Sequence, residues 1–422
     1  MAFINRAIVE NIEASYIETY LTKNGFKKSD EEAGISAEDW VNSLIDKNKI
    51  DIDEFEKFLF QELMMGKRKL IRIYQIDNVK KIKFPEDWNE PLAEKYEIKS
   101  LNFNAILNTY VNSKSSRKIA AIHSEENEKG ELTRLQILFV CWIEVNEVEA
   151  YRDSYAYIPV DIDFTKKIML IKAWNRYGLT DENQRAEALL DHIRNIMVLS
   201  FHVSIRRYMI THKKVLYNMS KGLVDEVYNK IPAFSQISIL NNLISNFEQE
   251  VLSKLPIVNI DVNEDGRKVI PKGVMEFSDE IQKALERLAV SDYFYNRSYE
   301  EIWDMGVNAV IAKIKFNDNE NILTSLSGEE SDKPIFCTKT FMYLKKSMED
   351  SKLVERLWVV KNRNRGTLNV RYDATDEEYL GVMIRSGIRY TVEDLEAALE
   401  IYKNYESRTI KTIAKNDKRN VS

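Results

Sequence analysis

The feature that most limits what this chain can become is the run Leu135 to Val145, LQILFVCWIEV, its strongest apolar stretch. It falls well short of the ~20 residues a helix needs to cross a bilayer. Its β-branched and aromatic content suits a buried strand, expected over Leu132 to Val145. Lys118 to His123, Ala156 to Asp163 and Lys167 to Trp174 are strand candidates too, with Asn127 to Gly130 and Phe164 to Lys166 as turns. Parallel strands need a crossover of a dozen or more residues, so connections this short imply an antiparallel meander.

The flanks read differently. From about residue 3 to 66, Ile4, Ile8, Ile12, Tyr16, Ile17, Tyr20 and Leu21 recur at helical steps. Ser36 with Asp39 forms a capping pair ahead of Trp40, Val41, Leu44 and Ile45, and Asp51 or Asp53 starts a helix that Gly66 ends. Lys67 to Ile76 is apolar on both faces and reads as a buried strand. Residues from about 181 to 229 are expected to be two helices with a break near Lys221 and Gly222. Asp265-Gly266 marks a hairpin between Ile257 and Ile270. In the last third, strands are expected at Asn308 to Phe316, Asn321 to Leu326, Leu357 to Val360, Thr367 to Tyr372 and Tyr379 to Arg385. Helices are expected at Thr340 to Glu355 and from Thr391 to about Tyr405, followed by a basic, fraying tail.

A chain of 422 residues suggests two or three domains. Its 13 glycines and 7 prolines are under half the usual share, which favours long helices and meandering strands over linkers. The expected class is α+β and multidomain. Residues 1–100 form a helical bundle, 101–290 an antiparallel sheet with long helices, and 291–422 a C-terminal α/β module of winged-helix type with the basic tail.

Composition and motifs exclude several functions. Lysine and arginine total 61 against 67 acids, a net charge of −6, so no global positive field advertises a polyanionic partner. Two cysteines make no disulfide framework. Glu10, Glu13 and Glu18 interrupt the N-terminal apolar pattern, so no secretory signal is read, and a cytoplasmic location without a membrane partner is expected. Asp261 to Gly266 opens like a calcium loop, but Lys272 stands where the bidentate glutamate belongs. His192, His202 and His212 are ten residues apart, about 280° of helical rotation per step, and share no face. His123, Cys141 and Cys337 are isolated. Neither a metal nor a cofactor is expected. No phosphate-binding glycine loop or nucleophile elbow is present. The nearest approach to a nuclease cluster is Asp304 ahead of Lys313, with Ile311 where a second acid belongs.

Three basic patches remain. Lys67, Arg68, Lys69 and Arg72 form the first, with Lys80, Lys81 and Lys83 close behind. On one long helix, Arg185, Arg207, Lys214 and Lys221 would fall within about 40° of one another, flanked by Arg206 and Lys213. Lys361, Arg363 and Arg365 would tip a hairpin after the Thr340 helix, as in the wing of a winged-helix module.

The segments Trp40 to Ile45 (WVNSLI), Ile52 to Leu59 (IDEFEKFL) and Arg72 to Ile76 (RIYQI) resemble the CENP-N family of kinetochore proteins over at most the first 175 residues. The resemblance implies a small helical bundle followed by an antiparallel β-region, and binding of nucleosomal DNA through basic surfaces. It assigns a role to no individual residue.

The leading expectation is a non-enzymatic nucleic-acid (DNA) binding protein, a subunit of a larger complex with protein partners, contacting the phosphate backbone through the helix stripe and the hairpin tip. The alternatives are an assembly scaffold that binds proteins through its long helices and a degenerate metal-dependent nuclease of antiviral defence.

Overall fold

Short polar side chains start the N-terminal helices. In the computed structural model, Asn5 Oδ1 accepts the Ile8 amide and begins α1 (Arg6–Ile12). A reversal at Glu13 leads into α2 (Ala14–Lys23). Ser36 Oγ accepts the Asp39 amide at the start of α3 (Ala37–Asp46), and Asp51 Oδ1 accepts the amides of Asp53 and Glu54 at the start of α4 (Ile52–Met64). The structure describes residues 3–28, 34–112, 117–147, 150–271, 274–317, 323–328, 334–363, 366–385 and 389–419.

After α4 come β1 (Leu70–Ile76), α5 (Glu86–Tyr96) and β2 (Phe103–Asn104). The meander follows as β3 (Arg117–Glu126), β4 (Leu132–Glu147), β5 (Ala150–Asp163) and β6 (Ile168–Ala173). Then come α6 (Ala186–Leu199) and β7 (Ile205–Arg206). All pairings in the meander are antiparallel, with Leu138 opposite Pro159 and Val160 opposite Ile171. Along β4, Leu138 and Val140 pack with Ile8, Trp40 and Leu59 of the N-terminal helices. Ile137 and Phe139 face the opposite way, toward Trp88 of α5 and Leu190 and Ile193 of α6. Helices cover both faces of the sheet, so the central strand reads as one continuous apolar run.

The chain forms two compact units, each discontinuous in sequence: Met1–His212 with Val370–Asn404, and Lys213–Asn369 with Tyr405–Ser422. The second opens with α7 (Thr211–Tyr228), α8 (Pro232–Gln236) and α9 (Asn241–Lys254). A two-residue hairpin, β8 (Asp261–Val262) and β9 (Lys268–Val269), precedes α10 (Phe277–Tyr293) and α11 (Glu301–Asp304). Next are β10 (Ala309–Asn317), β11 (Leu323–Ser327), α12 (Lys339–Ser351) and β12 (Arg356–Arg363). β10 pairs antiparallel with β11 and β12. Val215, Met219, Leu223 and Val227 give α7 a buried stripe, and the Tyr228 hydroxyl donates to the Phe336 carbonyl at 2.9 Å.

The chain returns through β13 (Gly366–Asp373) and β14 (Tyr379–Arg385) into α13 (Val392–Arg419). In the first unit the strand order is β14-β1-β6-β5-β4-β3-β2. The fold is thus mixed helix and sheet with a large antiparallel sheet, as expected. Two expectations need correction. The 181–229 segment breaks at residues 200–210 rather than at Lys221 and Gly222, which lie inside α7. The basic tail continues α13 as far as Arg419.

Candidate nucleic-acid interface

The first basic patch turns inward. Gly66 leaves α4 with φ +57°, and the next residues carry their cations back beneath the N-terminal helices. Arg68 has no exposed surface; Nη1 and Nη2 donate to the carbonyl and side-chain oxygens of Asn11 at 3.0 and 2.9 Å. Burial lowers its pKa to about 10, so it stays charged at neutral pH while closed off from any phosphate. Lys67 Nζ donates to the Glu10 carbonyl at 2.8 Å, pairs with Glu13 at 3.4 Å and lies 4.7 Å over the Trp174 ring. Burial pulls Lys67 and Lys69 below the usual lysine range. Arg72, also buried, pairs with Glu187 at 2.6 Å and with Asp191, and stacks 4.4 Å from the Tyr379 ring. This cluster therefore ties the first unit together, contrary to the expectation of a solvent-facing patch.

The helix stripe is also corrected, because α6 and α7 are separate helices. Between them His202 and Met209 adopt positive φ, 55° and 54°, which no helix interior tolerates. Arg185 is the N-cap residue of α6 and pairs with Glu182 at 3.1 Å. Arg206 lies on β7 opposite Gln75, and Arg207 pairs with Glu378 at 3.5 Å. Lys213 pairs with Glu355 at 3.8 Å. Half-buried Lys214 and exposed Lys221 do share one face of α7, since seven residues bring a helix back to within about 20°. Of the third patch, Lys361 and Arg363 end β12, where Lys361 stands opposite Ala309 and Arg363 Nη2 donates to the Thr367 carbonyl at 3.1 Å. Arg365 lies outside the described residues.

Folding gathers a different set of cations. At the far end of β1 the Ile76 amide donates to the Lys167 carbonyl at 2.8 Å, and the Asp77 amide to the Ser204 carbonyl at 2.9 Å. Those bonds bring the β5–β6 turn, β7 and the 79–81 helical turn to one end of the sheet. Lys80, Lys81, Lys167 and Arg206 are exposed there, and among the described residues none of the four is ion-paired. Nearby Lys83 is neutralised by Glu131, and Lys166 by Asp163 at 2.8 Å. The sequence showed Lys80 and Lys81 but only as followers of the buried patch. Lys167 was hidden as a strand residue beside a turn.

A second charged group lies inside the sheet. Arg134 Nε and Nη2 each reach the Asp161 carboxylate at 2.9 Å, and fully buried Lys172 lies 3.7 Å from it while donating to the Met64 carbonyl at 3.1 Å. Desolvation lowers the Lys172 pKa. Burial by itself would push the Asp161 carboxyl up; the Arg134 hydrogen bonds and the Lys172 charge outweigh it and hold the acid below its ordinary value.

In the second unit a cavity of about 230 Å³ between α10 and α12 is crossed by the Lys345–Glu286 pair at 3.3 Å. Asp304 is exposed at the end of α11, and Lys313 lies 5.0 Å over the Trp358 ring. Among the described residues no three His, Cys, Asp or Glu side chains gather as a metal-ligand set, and no helix is long and apolar enough to cross a membrane. Neither the models of known protein families nor the curated proteins contain a match to this chain.

Proposed function

We propose that this protein binds nucleic acid, without catalysing a reaction on it, as a subunit of a larger complex. The observation that carries this reading is the meeting of Lys80, Lys81, Lys167 and Arg206 at one end of the first unit's sheet. Four exposed cations held by backbone hydrogen bonds between distant segments are preorganised to neutralise successive phosphates. Each such contact releases counterions, the main source of sequence-independent affinity. Lys214, Lys221, Lys361 and Arg363 of the second unit are further phosphate contacts in this reading.

Fluorescence anisotropy with a labelled DNA duplex at a series of salt concentrations tests it. The four contacts of the first unit predict a log–log slope of about −3 to −4, which the four further contacts of the second unit would steepen to about −7. The triple variant Lys80→Glu, Lys81→Glu, Arg206→Glu should lose most of the affinity and flatten the slope. A wild-type protein that fails to bind duplex at low salt ends this reading.

One observation favours the scaffold alternative. Ile239, Leu243 and Phe247 are 70%, 64% and 47% exposed, at four-residue steps that line one side of a helical path. Sedimentation velocity that detects concentration-dependent association in the wild type and none in Leu243→Glu would support it.

A further inference from the structure

A groove of about 490 Å³ opens in the first unit between α4 and the edge of the sheet formed by β2, β3 and β4. That volume lies within the range of small-ligand sites. Phe60 of α4 lines it and stands edge-on to His123 with ring centres 6.4 Å apart, while the Phe103 side chain turns to the other face of the sheet and packs with the core under α5 and α6. Side-chain amides, those of Gln61, Asn102, Asn104 and Gln136, make up most of the polar lining. The Asn102 side-chain oxygen accepts the Ser124 amide and that of Asn104 accepts the Ile106 amide, both at 3.3 Å, which leaves the two side-chain NH2 groups as donors. Gln136 spends a hydrogen bond on the Asp161 carboxylate, which it can only donate to, and so keeps its carbonyl oxygen as an acceptor. Lys57 and Glu125 line it as well, Lys57 paired with Glu54 at 2.6 Å on its own helix and Glu125 lying 4.0 Å from Arg134.

Fixed donors, a fixed acceptor and an aromatic ring suit a planar heteroaromatic ring with hydrogen-bonding edges. A hydrocarbon would strand the amides. We propose that this groove holds the base of a nucleotide, its face against Phe60 and its edge read by Asn102, Asn104 and Gln136. This is how proteins read unstacked bases of single strands, and it cannot operate on a closed duplex. Gln136 stands opposite Asp161, at the end of the sheet that also carries the β5–β6 turn. From β3 to β1 is four inter-strand steps of about 4.8 Å, so the basic end lies roughly 19 Å away, a few nucleotides along a strand. The proposal stands on the groove's own lining and not on the phosphate reading.

Saturation-transfer NMR of the full chain with the four ribonucleoside monophosphates, ribose and an eight-nucleotide single strand tests it. Transfer should concentrate on base protons. Phe60→Ala should weaken binding about tenfold, the scale of one lost stacking partner. Exposed Gln61→Glu, which places a new carboxylate at the rim without touching the core, should weaken it too. Equal affinity for monophosphate and strand identifies a free nucleotide as the source of the base; tighter binding of the strand identifies a polymer. No transfer to any nucleotide, transfer confined to ribose, or binding of an extended peptide in place of nucleotides overturns the proposal. The Lys80→Glu, Lys81→Glu, Arg206→Glu variant should keep monophosphate binding, so the groove and the basic end fail or survive separately.

Discussion

Gly222 on α7 lies directly against the ring of Tyr405: a Cβ built at Gly222 meets Tyr405 Cε1 at 2.5 Å and the hydroxyl oxygen at 2.6 Å. Helix propensity alone favours Gly222→Ala by about 1 kcal/mol, because a glycine inside a helix costs backbone entropy. The half-buried ring reverses the sign. Gly222→Ala should lose about 1–2 kcal/mol, the usual scale of overpacking, read as a lower urea midpoint. In a Tyr405→Ala background the same change should stabilise the protein. The glycine that looked like a helix break is a packing contact.

Arg68 and Lys80 are both cations in one basic stretch of sequence, and they should behave oppositely. Arg68→Ala removes a fully buried guanidinium and strips the Asn11 carbonyl and side chain of their donors. It should cost about 3 kcal/mol or more in chemical denaturation. Exposed Lys80→Glu should change stability by no more than about 0.5 kcal/mol while weakening DNA binding. Equal loss of stability in both would place Lys80 in the fold and remove it from the interface.

The Arg134–Asp161–Lys172 group sets a pH dependence. The folded pKa of Asp161 lies below its unfolded value, near 3.8. Its contribution is therefore complete above the unfolded pKa and lost as pH falls through the folded one. Thermal midpoints should drop below about pH 4. In Asp161→Asn this acid limb should be shallower, and the variant should be about 3–5 kcal/mol less stable at pH 7, since Lys172 is left buried without its counter-charge. An unaltered acid limb would show that other carboxylates govern it.

The meander and the N-terminal helices were legible because their signals are local. The apolar run from Leu135 to Val145, the turn residues beside it and the caps Ser36 and Asp51 act within a few residues. The break between α6 and α7 gave no such signal, since its positive-φ residues are His202 and Met209 instead of glycines. What holds that break open is the pairing of Arg206 with Gln75 and of Ser204 with Asp77, contacts made across more than a hundred residues.

The same distinction separates the two halves of the candidate site. From the sequence alone came an antiparallel meander behind a helical N-terminal segment, along with clusters of positive charge, because periodicity and charge are properties of neighbouring residues. Only the tertiary structure decided which cations face water. Arg68 and Lys172 are closed in by helix and sheet, while Lys167 and Arg206 emerge beside Lys80. Burial depends on what packs from elsewhere in the chain, and no window of sequence contains both partners of such a contact.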